Sequence, residues 1–176
     1  AVRSLAQVSS AKVEGANPGS TEVTFMPGVV RGGGCSIDIG TAGSITLLMQ
    51  CLLPALVFAK EETILEIQGG TDVQWSPTID YFKNVFLPAL GKFGVQAELL
   101  CRQRGYYPRG AGQVTLKVRP VSLRPAEFEM AVPEAAPDEA SDTADPAQVL
   151  GISHCSNIPE HVAVRQAESA SQALRA

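Results

Sequence analysis

The sequence has only four cysteines, Cys35, Cys51, Cys101 and Cys155, and no two of them stand in a Cys-x-x-Cys pair. That spacing argues against a zinc site and against a disulfide scaffold. The four thiols are expected to be reduced and mostly buried, as in an intracellular protein. Histidine is scarcer still, with His154 and His161 alone. A single histidine near a turn is usually a surface residue, so neither is assigned as a catalyst. Aromatic residues make up a lowish 6% of the chain, against an ordinary 45% of apolar residues, which excludes collagen-like and wholly disordered classes. A clean membrane-spanning run is also missing. The most apolar stretch, AGSITLLMQCLLPALVFA (42–59), approaches spanning length but is interrupted by Ser44, Thr46, Gln50 and Pro54, and a buried core helix is the better reading. No signal-peptide pattern is present. The chain opens on AVRSLAQVSSAKVEG, without a methionine and in mid-pattern, and is expected to be a portion of a longer protein.

Two segments each lack one sign of charge. From Ala126 to Pro146 there are seven acids and no lysine or arginine, although the whole chain carries only −4. From Arg102 to Arg124 there are six basic residues and no acid. A local +6 suits an anionic partner such as RNA or a nucleotide; a solvated strand face explains it equally well.

What the 176 residues do contain is enough for one sizeable domain or a fragment of a larger one. Residues 12–16 and 21–26 read as short strands joined by a turn at NPGS, and 26–34 as a loop. CSIDIG (35–40) alternates as a strand. Thr41 or Ser44 is placed to cap a helix running to about Ala59, with Pro54 expected to kink or break it. TILEIQG (63–69) sets Ile64, Glu66 and Gln68 against Leu65 and Ile67, the pattern of a half-buried strand. GGTDVQWSP (69–77) is a loop. Residues 78–93 carry an apolar stripe at helical spacing, with Gly94 as C-cap. Two more strands, 95–102 and 113–119, follow. The order from 35 to 119 is thus β-α-β-α-β-β, an α+β layer with two helices on one face of a four-stranded sheet. Residues 120–148 read as a disordered acidic linker or insertion. After it, a strand, a turn at SNIPE and a helix from about His161 begin a further α/β segment over 149–176. Residues 1–34 read as the end of an earlier unit and its connecting loop.

The stretch RGYYPRGAGQV (104–114) is the most unusual. Its residues leave two readings open. It is a wide hairpin in which Gly105, Gly110 and Gly112 supply unusual backbone angles and Pro108 stiffens the loop. Or it is a surface on which glycine amides and the flanking Arg104 and Arg109 hold an anion while Tyr106 and Tyr107 meet a base.

RGYYPRGAGQV resembles the signature of the RNA 3'-terminal phosphate cyclase family, whose usual form is RG(Y/F)YP(K/R/A)GGGEV. GSTEVTFMPGVVRGG (19–33), IGTAGSITLLMQCLLPALVFA (39–59), GGTDVQWSPTIDY (69–81), VFLPALGKFGV (85–95) and SNIPEHVAVRQAE (156–168) follow the same family in the same order. The resemblance covers nearly the whole chain apart from about 120–148. It implies a fold of repeated βαβαββ units, like those of the C-terminal domain of translation initiation factor three and of the enolpyruvyl transferases, with 35–119 as one complete repeat. It implies ATP as cosubstrate, RNA with a 3'-phosphate end as partner, no membrane, and a divalent metal, Mg or Mn. It also implies a route in which AMP passes from ATP to an enzyme histidine and then to the RNA phosphate. Gln50 matches a glutamine that contacts the nucleotide and Pro77 a proline that packs on adenine. Arg104, Tyr106, Arg109 and Gly110, in the signature itself, are the expected substrate-binding residues.

The departures are specific. Ala111 and Gln113 replace the usual Gly and Glu of the signature. The family's EGGGQ(I/L)LR and RPGLxxQH blocks are absent, and its nucleophilic histidine belongs to a later repeat, beyond residue 176. The fragment is therefore not expected to complete the cycle alone. A non-catalytic cyclase-like protein that binds pre-ribosomal RNA is the alternative. The acidic segment leans toward a eukaryote and a nuclear setting; a bacterial source would mean the cytoplasm.

Overall fold

The computed structural model describes residues 1–128, 151–156 and 158–175. The chain divides into two units, residues 1–128 and 129–176. The first opens with helix α1 (Val2–Ser9) and a two-stranded antiparallel sheet of β1 (Lys12–Glu14) and β2 (Thr24–Met26). The helix was not legible in sequence. It is amphipathic over only two turns, and Leu5 and Val8 become informative only once they are seen packed against the core.

The rest of this unit runs β3 (Gly33–Asp38), α2 (Ile45–Leu56), β4 (Thr63–Gly69), α3 (Ile79–Tyr81), α4 (Leu87–Lys92), β5 (Gln96–Gln103) and β6 (Gly112–Arg119). The expected β-α-β-α-β-β order is present. The sheet order is β3-β4-β6-β5, with β3 and β4 parallel and the other two pairings antiparallel. Registered side chains form rows across all four strands. Cys35, Leu65, Leu116 and Leu99 make one row, and Ile37, Ile67, Val114 and Cys101 the next. Both rows face Met49, Leu52 and Leu56 of α2 and Phe82, and most of these side chains are fully buried. Burying each large apolar side chain contributes about 1.5–3 kcal/mol, and this one-sided layer is the main source of stability.

The opposite sheet face is polar. On it Glu62 receives Arg119 at 3.0 Å and Lys117 at 3.2 Å. The Arg119 hydrogen bond first, then Lys117, holds the Glu62 carboxyl below the usual glutamate range.

Ser44 caps α2, its side chain accepting from the Leu47 amide at 3.1 Å. Pro54 sits in the last turn, where the helix carries through it to Leu56, so the helix ends three residues before the expected Ala59. Residues 79–92 stay helical throughout, but Phe82–Phe86 form a π-helical turn between α3 and α4. The cause is Pro88, which has no amide for an i−4 partner; the Leu87 amide bonds to Phe82 O instead. Gly91 lies in α4 with open space where a Cβ would be. Gly91→Ala is therefore expected to raise stability by about 0.5–1 kcal/mol, read as a higher midpoint of urea unfolding.

All four cysteines are free, as expected, but Cys51 is exposed and the other three only half-buried, so they are not the core residues anticipated. Burial pushes the Cys35 and Cys101 thiols up. The acidic segment lies, from residue 129 on, outside the described residues. Among the described residues no helix is long and apolar enough to cross a membrane. In the second unit α5 (His161–Arg175) forms as expected, and Ser153 Oγ ties the preceding segment to it by donating to Ala163 O at 2.8 Å. Residues 151–155 carry no strand. The strand expected before the SNIPE turn is therefore absent from residues 151–155.

Candidate functional site

Three loops meet at the end of the sheet where the parallel pair β3 and β4 finish. They are the β3–α2 loop (39–44), the β4–α3 loop (70–78) and the β5–β6 loop (104–111). Their backbones interlock. The Gly70 amide donates to Gly43 O at 2.8 Å, and the Ile45 amide to Gly70 O at 2.9 Å. The Thr71 amide donates to Gly105 O at 2.8 Å, and the Gly105 amide returns to Thr71 Oγ1 at 2.9 Å. The carboxyl end of parallel strands is where α/β layers place ligand-binding loops.

The two readings of RGYYPRGAGQV are resolved unequally. The Gly110 amide donates to Tyr106 O at 2.7 Å, closing a tight turn that contains a cis Tyr107–Pro108 peptide. Gly105 and Gly110 are both buried. A Cβ on Gly110 would meet Thr41 O at 2.6 Å, and φ there is +71°. The glycines let three backbones pack together, and the Gly105 and Gly110 amides point at protein acceptors. Of the three glycines only Gly110 carries the unusual backbone angle expected; Gly105 and Gly112 are needed because a Cβ would meet neighbouring backbone.

Arg104 is held inside this junction. Its Nη2 lies 2.7 Å from Asp80 Oδ2 and its Nη1 3.2 Å from Asp72 Oδ2. Asp72 Oδ2 also accepts from Thr71 Oγ1 at 2.7 Å. Burial opposes the guanidinium's charge, but the Asp80 hydrogen bonds and the Asp72 charge outweigh it and raise the Arg104 pKa. One cation facing two carboxylates leaves the cluster formally at −1. Tyr106 is half-buried beside it. Its phenol is pushed up by burial first and then by the negative charge of Asp72.

Half of the +6 stretch is paired in three dimensions. Arg104 is matched by Asp72 and Asp80, and Lys117 and Arg119 by Glu62. Arg124 Nε donates to Lys92 O at 3.3 Å. Arg109 stands exposed at the tip of the β5–β6 loop. Lys117 and Arg119 form the solvated, paired strand face that charge alone allowed, Arg104 is drawn into the loop junction, and Arg102 and Arg109 are exposed with no ion pair among the described residues.

Thr78 is the N-cap of α3, accepting from the Tyr81 amide at 3.2 Å, and Pro77 precedes it. The Pro77 carbonyl accepts from the buried Thr46 Oγ1 at 2.8 Å. Gln50 lies one turn further along α2, on the same helix face as Thr46. It lines a largely apolar cavity of about 350 Å³ with Leu53, Pro54, Phe86 and Leu90. Pro77 is not part of that lining. The structure thus gathers Pro77, Arg104, Tyr106 and Gly110 at the three-loop end and sets Gln50 one turn deeper. Asp80 was missed in sequence, because nothing local signals an ion pair across 24 residues.

A sequence model described as RNA 3'-terminal phosphate cyclase matches residues 1–171. The chain is 49% identical over 163 residues to an RNA 3'-terminal phosphate cyclase of Archaeoglobus fulgidus, covering 93% of this chain and 45% of that one. It is 46% identical over 174 residues to one of Methanosarcina barkeri, covering 99% and 48%. It is 46% identical over 179 residues to one of Pyrococcus furiosus, covering 99% and 48%. The chain spans about half the length of these relatives. All three are archaeal, so the nuclear, eukaryotic setting suggested by the acidic segment finds no support.

Proposed function

Because this chain belongs to the RNA 3'-terminal phosphate cyclase family, we propose that the full-length protein converts an RNA 3'-phosphate into a 2',3'-cyclic phosphodiester at the expense of ATP. A phosphate monoester resists attack because its negative charge repels nucleophiles and its oxygens leave badly. Transfer of AMP to that phosphate, with loss of pyrophosphate from ATP, supplies a good leaving group. The adjacent 2'-oxygen, already in attacking position, then bonds to phosphorus, AMP departs, and the 2'-hydroxyl loses its proton. No residue of this chain is assigned as the histidine that carries AMP.

In this reading Gln50 and Pro77 contact the nucleotide. Gln50 is half-buried at the edge of the apolar cavity, and an adenine edge supplies both a donor and an acceptor for its amide. Arg109 meets the RNA phosphate directly. Arg104, Tyr106 and Gly110 hold the loop that presents it. A divalent metal, Mg or Mn, would supply charge neutralisation at the triphosphate. Asp72 and Asp80 each carry a contact from Arg104, so neither is assigned as its ligand.

The observation that carries the proposal is the family match across residues 1–171. Each relative described above bears the cyclase name, and the binding-only alternative has no finding of its own behind it. Full-length protein incubated with ATP and 3'-phosphorylated RNA is expected to give an acid-labile AMP adduct and RNA ends resistant to phosphatase. RNA that is bound but stays phosphatase-sensitive, with no adduct, would favour the alternative.

A further inference from the structure

We propose that Trp75 and Tyr107, at the tips of two of the interlocked loops, form a base-stacking rim for the single-stranded 3' end of RNA. The choice of RNA rests on the function proposed above; the rim itself rests on the structure. Trp75 is the only tryptophan of the chain and is 90% exposed. Tyr107 is 82% exposed. Large aromatic side chains so open to water lose the burial that normally retains them.

Trp75 also has φ +65°, a left-handed conformation that bulky residues rarely adopt. A glycine or asparagine would fit that turn at lower cost. The turn is otherwise well formed, with Ser76 Oγ donating to Val73 O at 3.0 Å. The fold therefore holds an unfavourable residue at the tip, open to solvent among the described residues.

The two tips are tied to one base. Thr71, four residues before Trp75, exchanges backbone and side-chain hydrogen bonds with Gly105, two residues before Tyr107. Arg104 and Asp72 add an ion pair across the same junction. Both aromatics therefore rise from one end of the sheet. Arg109 is the cation nearest the exposed rings in sequence. The acids of residues 70–81, Asp72 and Asp80, share Arg104 and are held at the base of the loops. Arg109, two residues from Tyr107, is exposed and makes no ion pair among the described residues. Aromatic faces beside a cation recognise unpaired bases without regard to sequence. Tyr106 is turned into the junction, so the outward member of the tyrosine pair is Tyr107.

The test is RNA affinity without ATP. A 12-nucleotide single-stranded RNA ending in a 3'-phosphate is titrated with full-length protein by fluorescence anisotropy. Trp75→Ala and Tyr107→Ala are each expected to weaken binding about tenfold, within the range for loss of one stacked base, and Trp75→Phe to retain most of the affinity. Both side chains are exposed, so the substitutions are not expected to disturb folding. Affinities within twofold of wild type for both alanine variants would overturn the rim, as would a Trp75→Phe variant as weak as Trp75→Ala. If the protein cyclises RNA but these variants bind normally, the rim fails and the function stands. If it binds through the rim but forms no cyclic end, the reverse holds.

Discussion

Gly105→Ala is expected to be strongly damaging for a single added methyl. The new Cβ would run into Gly112 N and Gly69 O, and into Gly110 O at 2.5 Å. All three are backbone atoms of paired segments, so no side chain can swing aside. The β5–β6 loop would have to leave the end of β4, breaking the reciprocal bonds between Gly105 and Thr71. A cost on the order of 3 kcal/mol is expected, at the upper end for overpacking. It should appear as a lower unfolding midpoint. Cyclisation should fall further, by about a hundredfold, because a displacement near 1 Å in a positioning loop has that effect. Gly91→Ala in the same background is the matched control, since its methyl enters open space.

Arg104→Ala is the second. It leaves Asp72, whose side chain is 9% exposed, and Asp80 facing each other without their cation. Removing one partner of a buried pair costs about 3–5 kcal/mol. Here Arg104 and Asp80 keep 26% and 31% of their side-chain exposure. Water offsets part of the loss, and about 2 kcal/mol is expected. Arg104→Lys should recover little of it, because a single ammonium cannot reach two carboxylates as the guanidinium fork does. Urea unfolding of the three proteins side by side measures both effects. Equal midpoints for wild type and Arg104→Ala would mean the two carboxylates are satisfied by other groups.

These two residues also mark what the sequence reveals and what it does not. The alternation of TILEIQG identifies β4 and its buried face because a strand's period of two is written directly in its residues. The stripe in residues 78–93 identifies a helix, but not the π-helical turn that Pro88 imposes within it. Gly105 is visible as a glycine; that its missing Cβ is required by the backbones of residues 69, 110 and 112 is a tertiary fact. Arg104 looks like one of six clustered cations. Its carboxylate partners lie 24 and 32 residues away, and no local pattern links them. The same limit hides which three of the six cations, Arg104, Lys117 and Arg119, find carboxylate partners. Trp75 reads as a loop residue until its exposure and backbone angle are known.

The central proposal is that Gln50 and Pro77 contact the nucleotide. Photolabelling of the full-length protein with 8-azido-ATP, followed by mass spectrometry of its peptides, tests this most directly. The account predicts that label falls on peptides spanning residues 44–59 or 70–81, and that excess ATP abolishes it. Label protected by ATP but confined to peptides outside residues 1–128 would contradict it.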